Sequence, residues 1–228
     1  CDEQMGIIIQ EVVGYKVGPY YFPLYAGVAF SNNEFRWSPR IKREDGLIRM
    51  VMGLGTRAVD RIGEDYPILL SPGQPGLRVN YTPYELLKYS QRYIDVIDLE
   101  KNQFTTIPIA KLIKEYGAQI PYINLTASVL KNEFVTDVNL MNTDFKNDSI
   151  IITFDRLVRQ TPLVKQVKSI LSLLQSELGY PVDIEFAGDG KHFYLLQCRP
   201  QSRNHDQAPV AIPMDIPAQS TLFTAGKY

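Results

Sequence analysis

The chain has 228 residues, is 45% hydrophobic and 21% charged, and carries a formal net charge of −1. That is the make-up of an ordinary globular domain, long enough for one good-sized core or two small lobes. No basic excess exists to neutralise a nucleic-acid backbone, and no apolar run has the length of a membrane span.

The two cysteines, Cys1 and Cys198, fall at the chain start and in a late hairpin, so no structural disulfide is expected and a reducing cytosol fits. The chain opens on Cys1 directly before a strand-like run, and we read it as a piece of a longer protein. Residues 6–14, GIIIQEVVG, are an apolar run between glycines, expected to be a buried strand. Gln10 and Glu11 interrupt it where a strand end would meet water. Residues 15–25, rich in Gly, Pro and Tyr, read as a loop, and residues 26–31, AGVAFS, as a short strand. Arg36, Arg40, Lys42 and Arg43 then surround Trp37, a cluster that is either solvated or placed to meet phosphates.

Residues 47–53 read as a strand running into GLGTRAVDR, residues 53–61. A glycine-rich turn opening a helix offers free N–H groups to a phosphate. This one lacks the third spaced glycine or the Lys-Ser/Thr pair of the dinucleotide and P-loop patterns. Residues 66–83 are turn-rich and read as a surface connection, residues 92–98 and 103–107 as a hairpin without chemical signature, and residues 109–116 as a short helix. Residues 117–148 carry little signal, and residues 150–153 are a β-branched strand. The clearest helix follows: Thr161 caps it, Pro162 suits its first turn and Gly179 ends it. Its stripe of Leu163, Val167, Ile170, Leu171, Leu174 and Leu178 is core, covering the sheet that presents the next segment. Residues 201–228, with Pro209, Pro213 and Pro217, read as an extended tail.

Residues 181–200, PVDIEFAGDGKHFYLLQCRP, read as two strands and a tight turn. Strand side chains alternate, so Asp183 and Glu185 share a face. With a loop of residues 188–190, Ala187 pairs with Lys191, and Gln197 and Arg199 join the acids while Ile184, Phe186, Tyr194 and Leu196 pack the other side. A loop one residue longer would put the two polar pairs on opposite faces. Adjacent carboxylates repel and are costly to desolvate unless a cation lies between them. Mg²⁺ is the natural cation, sharing oxygen ligands with a substrate phosphate that Arg199 would also hold. On spacing alone, a salt-bridged hairpin on a solvated sheet face accounts for the same residues.

The string DIEFA, a short gap and then YLLQCRP resembles the end of the nucleotide-binding domain of the pyruvate phosphate dikinase and phosphoenolpyruvate synthase family. The resemblance implies an ATP-grasp fold, α+β, with a mainly antiparallel sheet and helices packed on one side. It also implies ATP and Mg²⁺ as cofactors, with Glu185 and Gln197 as metal and phosphate ligands, Asp183 supporting them and Arg199 on the phosphates. Glu185 and Arg199 are the residues it makes catalytic. Gln10, Glu11 and Val12 match the family's V-x-V-Q-x-M-V hinge strand that holds adenine, with Val12 where Met is frequent. AGVAFS is similar to its S-G-V-x-F-[ST] strand. GLGTR stands where the family has G-L-G-E, so Thr56 replaces a glutamate near nucleotide and metal.

Family members phosphorylate a histidine on a mobile domain and then pyruvate. Neither His192 nor His205 lies in the family's phosphohistidine motif, and the lobe supplying a phosphate-binding lysine and arginine has no counterpart. Residues 1–200 are therefore expected to be the second half of one ATP-grasp domain in a cytoplasmic dikinase, inactive alone. Its expected partners are ATP, the other half, the phosphohistidine domain and a pyruvate/phosphoenolpyruvate domain. A non-catalytic nucleotide-binding or interaction module, and a dikinase with another acceptor such as an antibiotic or a glucan, are the alternatives.

Overall fold

The computed structural model describes residues 6–7, 9–59, 65–131 and 133–201. β1 (Tyr15–Val17) and β2 (Tyr20–Phe22) form a hairpin in the stretch expected to be a loop. The tyrosines are good strand formers, and Gly18 turns the chain at a φ of 55°. β3 (Tyr25–Phe30) and β4 (Leu47–Val51) follow as antiparallel neighbours, and α1 (Thr56–Val59) is a single helical turn. β5 (Ile68–Leu70) adds to β4 within the expected surface connection, because Leu70 is fully buried and anchors the segment. α2 (Pro83–Lys88) opens on a reciprocal cap, in which Thr82 Oγ1 accepts from Glu85 N–H at 3.2 Å and Glu85 accepts from Thr82 N–H at 3.0 Å.

β6 (Tyr93–Asp98), β7 (Gln103–Pro108) and α3 (Ile109–Tyr116) lie where their patterns place them. The low-signal stretch holds α4 (Ile123–Thr126), β8 (Ala127–Lys131) and β9 (Phe134–Asp137), with β10 (Ser149–Ile152) after it. α5 (Asp155–Gln160), α6 (Leu163–Leu178), β11 (Val182–Gly188) and β12 (Phe193–Pro200) complete the described chain. Thr161 Oγ1 accepts from Leu163 N–H at 3.3 Å at the start of α6, and Gly179 ends it in the left-handed region at φ 75°.

Three antiparallel sheets result, in the orders β1-β2-β6-β7, β10-β8-β9 and β12-β11-β3-β4-β5. Val167 and Leu171 of α6 share one core with Ile184 and Phe186 of β11, Ala29 of β3, and Ile48 and Met50 of β4. That core covers one face of the five-stranded sheet, and its burial is the main stabilising contribution. Among the described residues no helix is long and apolar enough to cross a membrane, and Cys198 is an exposed free thiol. Cys1, His205 and the tail 202–228 lie outside the described residues.

Residues 6–14 differ from their expected form. The described ones form no strand, and Ile7 and Ile9 are 77% and 92% exposed. An apolar run becomes a buried strand only where it joins a ladder under a covering layer, and the described residues of this run do neither.

Candidate functional site

β11 and β12 place four polar side chains on one face. Asp183 pairs with Arg199 and Glu185 with Gln197 as cross-strand partners, and directly opposed residues point to the same side of a sheet. The route to this register differs from the three-residue turn. Gly188 pairs with Phe193, so the loop is the four residues 189–192, which alone would send the polar pairs to opposite faces. A bulge at Leu196 restores the alignment, since Glu185 pairs with Gln197 and Phe186 with Leu195. The shift also moves Tyr194 to the polar side, opposite Ala187, and brings Phe193 to the core side, where its ring stacks on Phe186 at 5.4 Å.

The longer loop has a local cause. The Asp189 carboxylate accepts from the N–H groups of Lys191 at 2.8 Å and His192 at 2.6 Å, closing an Asx-type turn. Burial acts to raise this carboxyl, but the His192 and Lys191 N–H groups, the His192 ring and the Tyr194 hydroxyl outweigh it and bring it down to about 2. Burial, and then the Asp189 charge, pushes the Tyr15 and Tyr25 hydroxyls up. His192 belongs to this turn, with Nδ1 3.2 Å from Asp189.

On the polar face Asp183 is buried, and its Oδ1 accepts from Arg199 Nε at 2.7 Å. The two Nη groups of Arg199 have no hydrogen-bond partner among the described residues, and its side chain is 48% exposed. Asp183 thus holds the guanidinium by one edge and leaves its outer fork available. Glu185, half-buried, and Gln197, exposed, make no hydrogen bond or ion pair among the described residues. The same row continues through Val28 of β3 to Arg49 of β4, about 10 Å from Glu185 at ordinary strand spacing.

The glycine-rich turn lies on this face too. A Cβ on Gly55 would sit 3.4 Å from the Ala26 side chain, and Ala26 pairs with Ala187, two residues from Glu185. Gly53 makes the turn at φ 87°, with Ile94 and the Asp95 carbonyl against it, so only glycine fits. Beneath it is an anchor absent from the sequence reading. Asp95, 1% exposed, accepts from Thr56 Oγ1 at 2.6 Å, Arg57 Nε at 3.0 Å and Thr106 Oγ1 at 2.5 Å, and its carbonyl accepts from Leu54 N–H at 2.9 Å. Gln91 clamps Met52 from both sides, accepting from its N–H at 2.8 Å and donating to its carbonyl at 3.0 Å. Thr56 therefore ties the turn to β6. An acid flanked by Ile94 and Val96 was the available signal for Asp95, but nothing local names its partners Arg57 and Thr56, 38 and 39 positions away.

Gln10 donates from Nε2 to the carbonyl of bulged Leu196 at 3.0 Å, and the Val12 carbonyl accepts from the Tyr21 hydroxyl at 3.1 Å. Gln10 thus reaches the β12 edge beside Gln197, whereas Val12 is tied to β2; Glu11 between them is exposed. The basic cluster belongs to the β3–β4 connection. That loop leaves β3 at Phe30, the partner of Asp183, and so rises from the Arg199 end of the sheet. Within it Arg43 pairs with Glu34 at 2.7 Å and Trp37 Nε1 donates to the Leu77 carbonyl at 3.0 Å.

Among the described residues no group of three or more His, Cys, Asp or Glu side chains could hold a metal by itself. One carboxylate and one amide oxygen, Cα partners without other bonds, fit a cation that takes most of its ligands from phosphate and water, as Mg²⁺ does.

The α+β architecture, dominated by antiparallel sheets, is consistent with an ATP-grasp-like lobe. The sequence matches the family described as pyruvate phosphate dikinase, AMP/ATP-binding domain, over residues 1–219, and the chain belongs to that family. It is the ATP/AMP-binding part of a pyruvate phosphate dikinase-like protein. No curated protein sequence matches it.

Proposed function

We propose that the face carrying Asp183, Glu185, Gln197 and Arg199 binds Mg²⁺–ATP as one half of a nucleotide cleft, in a dikinase that phosphorylates a histidine on a separate domain and then pyruvate. The observation that carries this reading is the pair Glu185 and Gln197, side by side with no bonding partner among the described residues, next to an arginine whose outer fork is open. Arg199 binds phosphate oxygens through its Nη groups while Asp183 fixes its orientation. Glu185 and the Gln197 carbonyl hold the metal, which neutralises phosphate charge when bound. The turn at residues 53–56, clamped by Asp95 and Gln91, closes the other end of the face, and the backbone of Gln10, Glu11 and Val12 takes the adenine edge. Phosphoryl transfer depends on placed charge more than on covalent participation by the protein, so these residues act by position. The other half of the cleft, the histidine donor and the pyruvate site belong to other parts of the parent protein, which we place in the cytoplasm.

In the intact protein, Glu185→Gln should lower phosphorylation of the acceptor histidine by ATP at least about 100-fold, the scale of losing one placed electrostatic contact, with the melting temperature unchanged. Undiminished phosphorylation would remove Glu185 from the mechanism. One observation favours a second reading, a nucleotide-binding module without catalysis: Thr56 stands in place of the glutamate and its hydroxyl is committed to Asp95. ATP binding without any phosphoryl transfer in the intact protein would select it, and transfer to an antibiotic or a glucan would select a different acceptor.

A further inference from the structure

A cavity of about 600 Å³ lies at the far edge of the five-stranded sheet, beside β5. β5 is three strands from β11, so at ordinary spacing the cavity is about 14 Å from the Glu185 row. Tyr66, Pro67, Ile68 and Leu69 all line it. Successive residues of a strand face opposite sides, so a cavity that touches four in a row meets the strand along its backbone edge. β5 ends its sheet and pairs only with β4 among the described residues, which leaves that edge without a ladder. The remaining wall is largely apolar: Leu86 and Tyr89 lie within it, and Phe35 and Val79, 55% and 39% exposed, stand on its rim. An open strand edge flanked by exposed apolar side chains is a template for a further strand.

The chain beyond β12 leaves from a fixed point near this groove. Gln201 N–H donates to the Pro181 carbonyl at 2.8 Å, and its side chain brackets Asn32, accepting from the N–H at 3.1 Å and donating to the carbonyl at 3.0 Å. Phe35 of the rim is three residues further on, at most about 11 Å away, and its N–H donates to Asn33 Oδ1 at 2.9 Å. In the same loop Trp37 Nε1 donates to the Leu77 carbonyl at 3.0 Å, next to Val79 of the rim. Residues 202–209 span up to about 26 Å when extended, enough to carry Val210 past Phe35 to β5. A nearer cavity beside Pro181 is lined by Glu44, Lys168, Ser172, Gln175 and Ser176, a polar wall that does not suit apolar side chains.

Residues 209–217, PVAIPMDIP, carry the pattern that such an edge requires. Val210, Ile212, Met214 and Ile216 share one side of an extended chain. Backbone N–H groups alternate with the same period of two. If the even-numbered residues bond to β5, then Pro209, Pro213 and Pro217 all fall at positions that point outward, where a missing N–H costs nothing. We infer that residues 210–216 add to the outer edge of β5 as a sixth strand, with Val210, Ile212, Met214 and Ile216 covering the cavity. The prolines then face solvent and stop the sheet from growing further. This docking is separate from the ATP-binding reading and does not depend on it.

The test is residue-resolved hydrogen exchange of the intact protein. The amides of Val210, Ile212, Met214 and Ile216 should exchange at least about tenfold more slowly than those of Ala211 and Asp215, equally at high and low protein concentration. Ile212→Asp/Ile216→Asp should abolish this protection and speed exchange along β5. Val79→Asp, which puts a charge on the exposed rim, should do the same. If Val79→Asp does not fold, the wild-type pattern and the tail variant decide. Unprotected amides at 210–216, protection without alternation, or protection that survives Ile212→Asp/Ile216→Asp overturns the strand. Protection untouched by Val79→Asp would seat the segment elsewhere, and protection that grows with concentration would put a second copy in the groove; either overturns the proposal.

Discussion

Asp95→Ala is the substitution whose cost follows most directly from the geometry. The carboxylate is 1% exposed and faces Arg57, itself 9% exposed, so its removal breaks a buried ion pair from one side. Such breakage costs about 3–5 kcal/mol, because the remaining charge stays buried. Here Arg57 keeps Asp65 at 3.1 Å, and the Thr56 hydroxyl can turn to water. Both place the cost at the lower end, about 3 kcal/mol. At about 2–4 °C per kcal/mol for a chain of this size, the melting temperature should fall by about 6–12 °C. Asp95→Asn, which keeps the shape and one acceptor, should lose roughly half of that. Thermal unfolding of the three proteins measures it. A fall of less than about 2 °C in Asp95→Ala would refute the view that this network holds the turn at residues 53–56.

Other consequences can be measured in the same way. Gly53→Ala forces a Cβ against Ile94 and the Asp95 carbonyl at positive φ, and should destabilise by at least about 1–3 kcal/mol in urea unfolding. Leu171→Ala empties a fully buried position on α6 and should cost about 2–5 kcal/mol, with Mg²⁺–ATP affinity retained if α6 only supports the sheet. The Asp189 carboxyl lies below its unfolded value of 3.8, at about 2, when folded. Its contribution is therefore complete above the unfolded value and lost as pH falls through the folded one. Wild type and Asp189→Asn should differ most in stability above about pH 5 and converge as the pH falls toward 2; a constant difference down to pH 2 would mean that the turn is not held by the charge.

The polarity of the β11–β12 hairpin was legible because alternation is local: Asp183 and Glu185 share a face whatever the rest of the chain does. The common face with Gln197 and Arg199 was expected from the wrong loop. An Asx turn lengthened it and a bulge at Leu196 corrected the register, and neither has a pattern of its own. α6 was legible for the same local reason, as most of its stripe and its terminal glycine lie within one segment; its start differs, with Pro162 rather than Thr161 at the N-cap, and Leu178 at the end of the stripe is exposed. The tyrosine-rich β1 and β2 were not, since β2 is held by pairing with the sequence-distant β6 and β1 in turn pairs with β2. Residues 6–14 failed in the other direction, an apolar run whose described residues join no strand ladder although Gln10 touches the β12 edge. Thr56 looked like a departure from a metal-shell pattern, and only its contact with Asp95 gives it a structural reason.

The claim that Glu185, Gln197 and Arg199 form a Mg²⁺–ATP surface is tested most directly by isothermal calorimetry of the intact protein with ATP, with and without Mg²⁺, in wild type, Glu185→Ala and Arg199→Ala. The account predicts Mg²⁺-dependent binding that each substitution weakens at least about tenfold, with loss of the Mg²⁺ dependence in Glu185→Ala, as expected for a charge-assisted contact. Wild-type affinity in both variants would contradict it and leave the hairpin as a salt-bridged edge of the sheet.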